Sequence, residues 1–365
     1  MITNKQVAIF GAGMYGEIVF KFLKLKGYEV IFFIDQLTEK KEYMGKPVYR
    51  IEDVILKNIP IYIGVSHSNL IIEEKLKNSG FSLIIPYFIL KDEDDSLPPY
   101  IPDDFDISDD FSYIDNDKVN KVLKFFTDSK SLELYKYILE LRRDKTFKEI
   151  KSNIFYDPNC YTPKDVPIFQ RFKKLRIADC GAFSGDSILN FLKLKQKVEF
   201  IALFEPIPKN LNILHDNIKI FTSKYNEIII TIFPLGVSEK PGIEEFCDMF
   251  SFSRISNNKT VITNKIENIK EKYLLPVTTL DETLYGSKIN FIKMDIEGSE
   301  YNAIKGAINL IKDYKPDLAI SIYHNPSDLW DIPILIKSIN NNYKMYLRSH
   351  HSRTPLSDLV LYCTI

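Results

Sequence analysis

From residue 5 to residue 90, short apolar runs alternate with amphipathic stretches. They read QVAIF, a glycine turn, a helix to Lys26, EVIFFID, a loop, IPIYIGV, a helix near Asn69 to Asn78, and SLIIP. Short apolar runs giving way to helical period and back are βαβ patterning, which predicts a parallel sheet with crossover helices. Between Lys91 and Asp117 the text KDEDDSLPPYIPDDFDISDDFSYIDND sustains neither period, and its acids and prolines read as a linker or surface strap. Helical spacing returns in two groups, Val122, Phe125 and Phe126, then Leu132, Leu134, Tyr135, Ile138 and Leu139, predicting two connecting helices. A second βα alternation begins after Arg171 and ends in two strands, YKMYLR and DLVLYC. The expected fold class is therefore α/β with two Rossmann-like units. Residues 1–90 form the first, 91–150 an acidic linker with connecting helices, and 151–365 the second; no repeat of fixed period joins them.

A length of 365 residues suits two or three domains. With 45% hydrophobic residues, 27% charged residues and a net charge of -1, the chain lacks the basic excess of a nucleic-acid binder. Cys160, Cys180, Cys247 and Cys363 are widely spaced and form no zinc-type pairs, as expected of free thiols in a reducing compartment. MITNK leads straight into a strand, without the basic and apolar regions of a signal peptide, and no apolar run reaches the roughly 18–20 residues that span a bilayer. The expected location is cytoplasmic.

VAIFGAGMYGEIVF sets Gly11, Gly13 and Gly16 in G-x-G-x-x-G register between a strand and a helix, and Asp35 follows at the end of EVIFFID. That context supports nucleotide binding, with helix-terminus amides for phosphate and an acid for ribose. The stretch Val7 to Pro86, with GKPVYRIEDV and IPIYIGV, resembles the small N-terminal domain of bacterial sugar acetyltransferases, which implies a nucleotide-linked sugar as ligand. A nicotinamide cofactor and a purely structural role are the alternatives.

LRIADCGAFSGDS places an acid at a strand end, then glycines, then a helix beginning near Asp186. Gly181 and Gly185 let the backbone approach a ligand closely, and the helix N-terminus offers amides to a carboxylate. Farther on, EFIALFE ends in Glu205, where an acid grips both ribose hydroxyls of a nucleoside. A generic βαβ turn with a surface glutamate is the plain alternative.

The series DCGAFSGDS, FEP, LGVSE, TTLDE, FIKMDIEGSEYNAIKGA, SIYH and DLVLYC resembles the FkbM family of methyltransferases over nearly two hundred residues, IKMDIEGSE being its most specific element. The resemblance implies a class I methyltransferase fold, a mostly parallel seven-stranded sheet whose last strand is antiparallel. It also implies S-adenosylmethionine as methyl donor and a hydroxyl of a sugar, glycan, sugar nucleotide or polyketide-like product as acceptor, as in surface-polysaccharide or natural-product biosynthesis. Carried over by position, Asp179, Gly181, Ala182, Gly185, Asp186 and Ser187 would hold the methionine end, Glu205 the ribose, and Val237 with Ser238 the adenine edge. Asp295 would lie under the transferring methyl.

Methyl transfer to a hydroxyl needs alignment and removal of a proton. His324, directly after the strand DLAISIY, is the leading base because imidazole titrates near neutrality; Asp295 and Glu297 would orient it or, with it, hold a divalent metal. Glu300 reads as a first-turn acid behind a Ser299 N-cap. The loop RSHHSRT, Arg348 to Thr354, offers two arginines and two histidines to an anionic acceptor or to water. An NAD-dependent oxidoreductase or a non-catalytic nucleotide-binding scaffold are the competing functions. Neither the acceptor nor the oligomeric state is legible.

Overall fold

The computed structural model describes residues 5–36, 38–65, 69–86, 113–144, 155–249, 252–255, 271–351 and 355–365. The chain divides into two compact units, Met1–Asp103 and Asp104–Ile365. Among the described residues no helix is long and apolar enough to cross a membrane.

In the first unit, β1 (Gln6–Phe10), β2 (Glu29–Ile34), β3 (Glu42–Tyr43), β4 (Lys46–Tyr49), β5 (Ile61–Ile63) and β6 (Ile84–Pro86) form one sheet in the order β3-β4-β2-β1-β5-β6. All pairs are parallel except β3 with β4. Alternate residues of β1 enter opposite cores, Val7 and Ile9 packing with Val19, Leu23 and Phe33, Ala8 and Phe10 with Ile61, Leu76 and Phe81. A strand covered on both faces reads as a continuous apolar run, which is why QVAIF shows no alternation. The hairpin of β3 and β4 was not expected from the sequence. Its turn residues Met44 and Gly45 both take positive φ, 51° and 72°, as a two-residue type I′ turn requires.

The second unit contains β7 (Lys174–Cys180), β8 (Lys197–Phe204), β9 (Ile229–Phe233), β10 (Gly236–Val237), β11 (Gly242–Met249), β12 (Phe252–Ile255) and β13 (Glu271–Thr278). β14 (Phe291–Met294), β15 (Asp317–Ser321), β16 (Lys344–Ser349) and β17 (Leu359–Thr364) follow. Its main sheet has seven strands in the order β16-β17-β15-β14-β7-β8-β9, and β10 to β13 form a separate four-stranded sheet. β17 is antiparallel to both its neighbours, and the pairs from β9 through β15 are parallel. The mostly parallel seven-stranded sheet expected from the resemblance is thus present.

Two helices are present: Asn116–Val122 ends at Val122 and leaves Phe125 and Phe126 beyond it, whereas Ser129–Asp144 holds Leu132 to Leu139 as their spacing predicted. Asp115 caps the first by accepting from Lys118 N at 3.0 Å. These helices are built into the second unit rather than standing between the two: Tyr135 Oη donates to Leu329 O and Leu347 N donates to Ser131 Oγ. The acidic stretch expected as a linker lies, from residue 91 to residue 112, outside the described residues.

Candidate active site at the strand ends

Register places three strand ends side by side. Cys180 of β7 pairs with Phe204 of β8 and with Met294 of β14, so the next residues, Gly181, Glu205 and Asp295, emerge at one edge of the sheet. Backbone bonds keep them there, Gly181 N to Phe204 O and Asp295 N to Cys180 O, each 3.0 Å. Gly181 has φ 81°, and a Cβ on it would lie 1.9 Å from Asp295 O, so only glycine fits against that strand. Gly185, also at φ 81°, caps the helix Asp186–Leu192. Ala182, Ser187 and Asp179 are buried beneath the turn.

Asp179 is fixed from two sides, by the Ser187 hydroxyl and by Lys293 Nζ, 2.9 Å from its Oδ1. Burial pulls the Asp179 carboxyl up from its ordinary value; the Lys293 charge and the Ser187 hydrogen bond partly offset this. For Lys293 burial opposes the charge, but Asp179 and then Asp295 outweigh it and hold the ammonium above its usual range. Lys293 also donates to Gly181 O at 2.6 Å. Sequence reasoning missed Lys293, although a lysine inside the buried run FIKM was the signal.

Glu205 is buried, and its oxygens accept from Phe183 N and Ile207 N, each at 3.0 Å, and from Asn210 Nδ2 at 3.2 Å. Burial pushes its carboxyl up, against the pull of those donors. Val237 ends β10 in the smaller sheet, and Ser238 Oγ donates to Glu244 Oε1 at 2.7 Å. A Cβ on Gly306 would lie 2.1 Å from Ser238 O, so this segment is clamped to the helix Glu300–Lys305.

Asp295, Glu297 and His324 are brought together, as their grouping required. His324 Nε2 lies 3.6 Å from Asp295 Oδ1 and 3.4 Å from Glu297 Oε2, while Nδ1 lies 2.9 Å from Glu300 Oε1. Burial disfavours the imidazolium, but Glu300, Glu297 and Asp295 raise its pKa to about 10. The role expected of His324 changes on two counts. Its side chain is 0% exposed whereas those of Asp295 and Glu297 are 26% and 25% exposed, so an incoming hydroxyl meets the carboxylates first. Among these carboxylates the imidazole favours its protonated form, which offers no lone pair until that proton is displaced.

Glu300 departs from its expected role as well. Its Oε1 accepts from Ile296 N at 2.8 Å and faces the histidine, and the group is wholly buried. Ser299 is the N-cap residue but makes no side-chain cap bond. Glu297 takes φ 56°, a left-handed conformation costing about 1–2 kcal/mol in a non-glycine residue. Asn325 steadies the turn by donating to Gly298 O at 2.8 Å.

Asp295 is held further by Tyr161, whose hydroxyl donates to Oδ2 at 2.7 Å, and by Tyr323 at 3.5 Å. Burial works against its charge, but Lys293, His324 and the Tyr161 hydrogen bond hold its carboxyl below the ordinary value. Neither tyrosine was singled out from the sequence. Tyr161 belongs to an irregular segment ahead of β7 and carries no motif.

Arg348 does not serve an anionic acceptor. It is 1% exposed and its guanidinium donates to Asp128, Asp165 and Ser131, tying β16 to the segments beneath. His350 is likewise committed, Nδ1 to Asp157 O and Nε2 to Tyr362 Oη, each 2.7 Å. His351 is buried, and residues 352–354, including Arg353 and Thr354, lie outside the described residues.

In the first unit Gly11 takes φ 107°, and a Cβ on Gly16 would lie 2.0 Å from Gly11 O, so the glycine turn is tightly folded. Around Gly13 a Cβ would meet nothing within 4 Å. Asp35 turns back onto that loop: Oδ2 accepts from Ala12 N at 2.8 Å and Oδ1 from Thr38 N at 2.9 Å.

Comparison with known proteins bears on this arrangement. Residues 179–353 match the family described as Methyltransferase FkbM domain. Among solved structures, methyltransferase FkbM from Methylobacillus flagellatus KT is similar, at 21% identity and a TM-score of 0.55, covering 99% of this chain and 90% of that one; the likeness is one of fold. Fainter likenesses are precorrin-6y C5,15-methyltransferase from Geobacter metallireducens GS-15 and Aeropyrum pernix fibrillarin in complex with S-adenosyl-L-methionine. They are 12% and 8% identical with TM-scores of 0.30 each, covering 53% of this chain in both cases and 80% and 68% of those chains. No curated protein matches.

Proposed function

We propose that the unit carrying the methyltransferase FkbM domain at residues 179–353 transfers the methyl group of S-adenosylmethionine to a hydroxyl of a sugar, glycan or sugar nucleotide. The observation that carries this reading is the meeting of Gly181, Glu205 and Asp295 on three adjacent strand ends, with a carboxylate and imidazole cluster beside them. The turn residues Asp179, Gly181, Ala182, Gly185, Asp186 and Ser187 hold the methionine end, and Val237 with Ser238 the adenine edge. Glu205 faces the ribose. Two carboxylate oxygens offer about four acceptor sites, and three donors already occupy Glu205, so it grips one hydroxyl rather than two.

In the transfer the acceptor oxygen bonds to the methyl carbon as the carbon–sulfur bond breaks, its electron pair passing to sulfur. The hydroxyl proton passes to Asp295 or Glu297, the cluster members open to solvent. His324 and Glu300, enclosed behind them, position those carboxylates. The first unit supplies the turn of Gly11, Gly13 and Gly16 for a nucleotide-linked acceptor. Asp35, already accepting two backbone amides, serves that turn more than a ribose.

The test is incubation of the full chain with methyl-labelled S-adenosylmethionine and a panel of sugar nucleotides and oligosaccharides. Label on a hydroxyl of one of them is expected; donor binding with label only on nitrogen or carbon acceptors overturns the hydroxyl assignment.

A further inference from the structure

We infer that Asp295, Glu297 and His324 form a binding site for one divalent cation of the Mn²⁺ or Mg²⁺ type, with Glu300 as the group that orients the histidine. The inference deepens the methyl-transfer reading and rests on it only for what the cation does, not for its binding.

Each of the two carboxylates stands off the imidazole at close to the spacing of donors sharing an ion. Two donors each about 2.1 Å from one cation lie roughly 3.0–3.4 Å apart, depending on the angle between them. His324 Nε2 lies 3.4 Å from Glu297 Oε2 and 3.6 Å from Asp295 Oδ1, beyond good hydrogen-bond length and within a small adjustment of shared coordination. One donor atom each from Asp295, Glu300 and His324 lies within 4.8 Å of the others. Of these, Glu300 Oε1 is engaged with Ile296 N and His324 Nδ1 at 2.8 and 2.9 Å. That carboxylate accepts a hydrogen bond from Nδ1, and a bound ion takes the place of the Nε2 proton, the arrangement metal-bound histidines commonly show.

Composition of the site decides the kind of ion. Two carboxylates and one imidazole without a thiolate favour a hard or borderline six-coordinate cation. Three protein donors leave three positions, and the partial exposure of Asp295 and Glu297 puts those positions on the side open to solvent. There the ion takes water and an acceptor hydroxyl. Coordination lowers the pKa of such a hydroxyl and eases the loss of its proton. Three carboxyl groups crowded against one histidine are also eased by a dication. Lys293, whose charge also acts on Asp295, is paired with Asp179.

The experiment is a titration of the chelator-treated full chain with Mn²⁺, followed by the paramagnetic resonance of the free ion, without donor or acceptor. One saturable equivalent is expected, weakened at least tenfold in Glu297→Gln, which alters a partly exposed side chain and keeps its shape. Glu300→Gln, with the same folded signature by circular dichroism, is expected to weaken it by about 10–100-fold. Absence of saturable Mn²⁺ binding up to millimolar concentration, or an affinity unchanged in Glu297→Gln, overturns the site. Calorimetry with S-adenosylmethionine on the same sample separates the two readings: Mn²⁺ bound without donor binding sinks methyl transfer and leaves the cation site standing.

Discussion

Lys293 Nζ lies 2.9 Å from Asp179 Oδ1, with both side chains enclosed, and the same ammonium donates to Gly181 O. One cation therefore fastens β14 to the turn that follows β7. Lys293→Met leaves a buried carboxylate without its partner, at a cost of about 3–5 kcal/mol. Thermal unfolding should show a clear fall in Tm, partly restored when Asp179→Asn is added. An unchanged Tm in the single variant would mean the pair does not hold the turn.

Glu205→Ala removes the acceptor of three donors, two of them backbone amides. The loss that bears directly on the ligand is the one hydrogen bond to a ribose hydroxyl, and at roughly 1.5–3 kcal/mol for a bond to a charged group S-adenosylmethionine affinity should drop by about 10–100-fold. Glu205→Gln, which retains an acceptor oxygen, should lose less. Calorimetry giving equal affinity for all three proteins would remove Glu205 from the donor site.

Gly181→Ala forces a Cβ to within 1.9 Å of Asp295 O at a backbone φ of 81°. Either the turn or strand end must shift, so donor binding should be lost even in a chain that still folds. Donor affinity within twofold of the parent would show that the turn does not touch the ligand.

Much of this edge was legible. Acids and glycines at strand ends stand out because a buried parallel strand is otherwise an apolar run, so Asp179, Gly181, Glu205 and Asp295 announced themselves. Partnerships across the fold were not legible. Nothing local says that Lys293 reaches Asp179, that Tyr161 reaches Asp295, or that Glu300 turns inward to a histidine beyond the next strand. Ser299 before Glu300 even suggested an ordinary helix start, a local explanation that tertiary packing displaced. Arg348 misled for the same reason: polar residues between two strands look like an exposed hairpin tip until the aspartates beneath them are known.

Acid should weaken the second unit through that arginine. Burial acts against both Asp128 and Asp165, but Arg348 outweighs it and holds each carboxyl below the ordinary 3.8. Their folded pKa values being lower than the unfolded ones, the stabilisation is fully present above pH 3.8 and is lost as pH falls through the folded values. Unfolding midpoints measured across pH 3 to 6 should decline at the acidic end, and Arg348→Met should flatten that decline. A parent profile as flat as the variant's would show that the cluster carries no linkage.

Residues 104–365 should fold alone and bind S-adenosylmethionine, because the donor turn, the strand ends and the helices from Asn116 onward all lie within one compact unit. Loss or weakening of acceptor binding is expected on removing the first unit. Methylation of the same acceptor with the same KM would deny that unit a substrate role.

The order of the seven strands has a consequence for how the chain comes into being. β17, at residues 359–364, is an interior strand lying between β15 and β16, although it is made after both. Until it has been made, β15 has an open edge, its row of backbone amides and carbonyls waiting for a partner, and β16 has no neighbouring strand in this sheet. Vectorial synthesis therefore cannot finish this sheet strand by strand. A nascent chain halted before residue 359 would expose that edge to other chains, and closure comes as a late insertion that joins β16 to the other five strands.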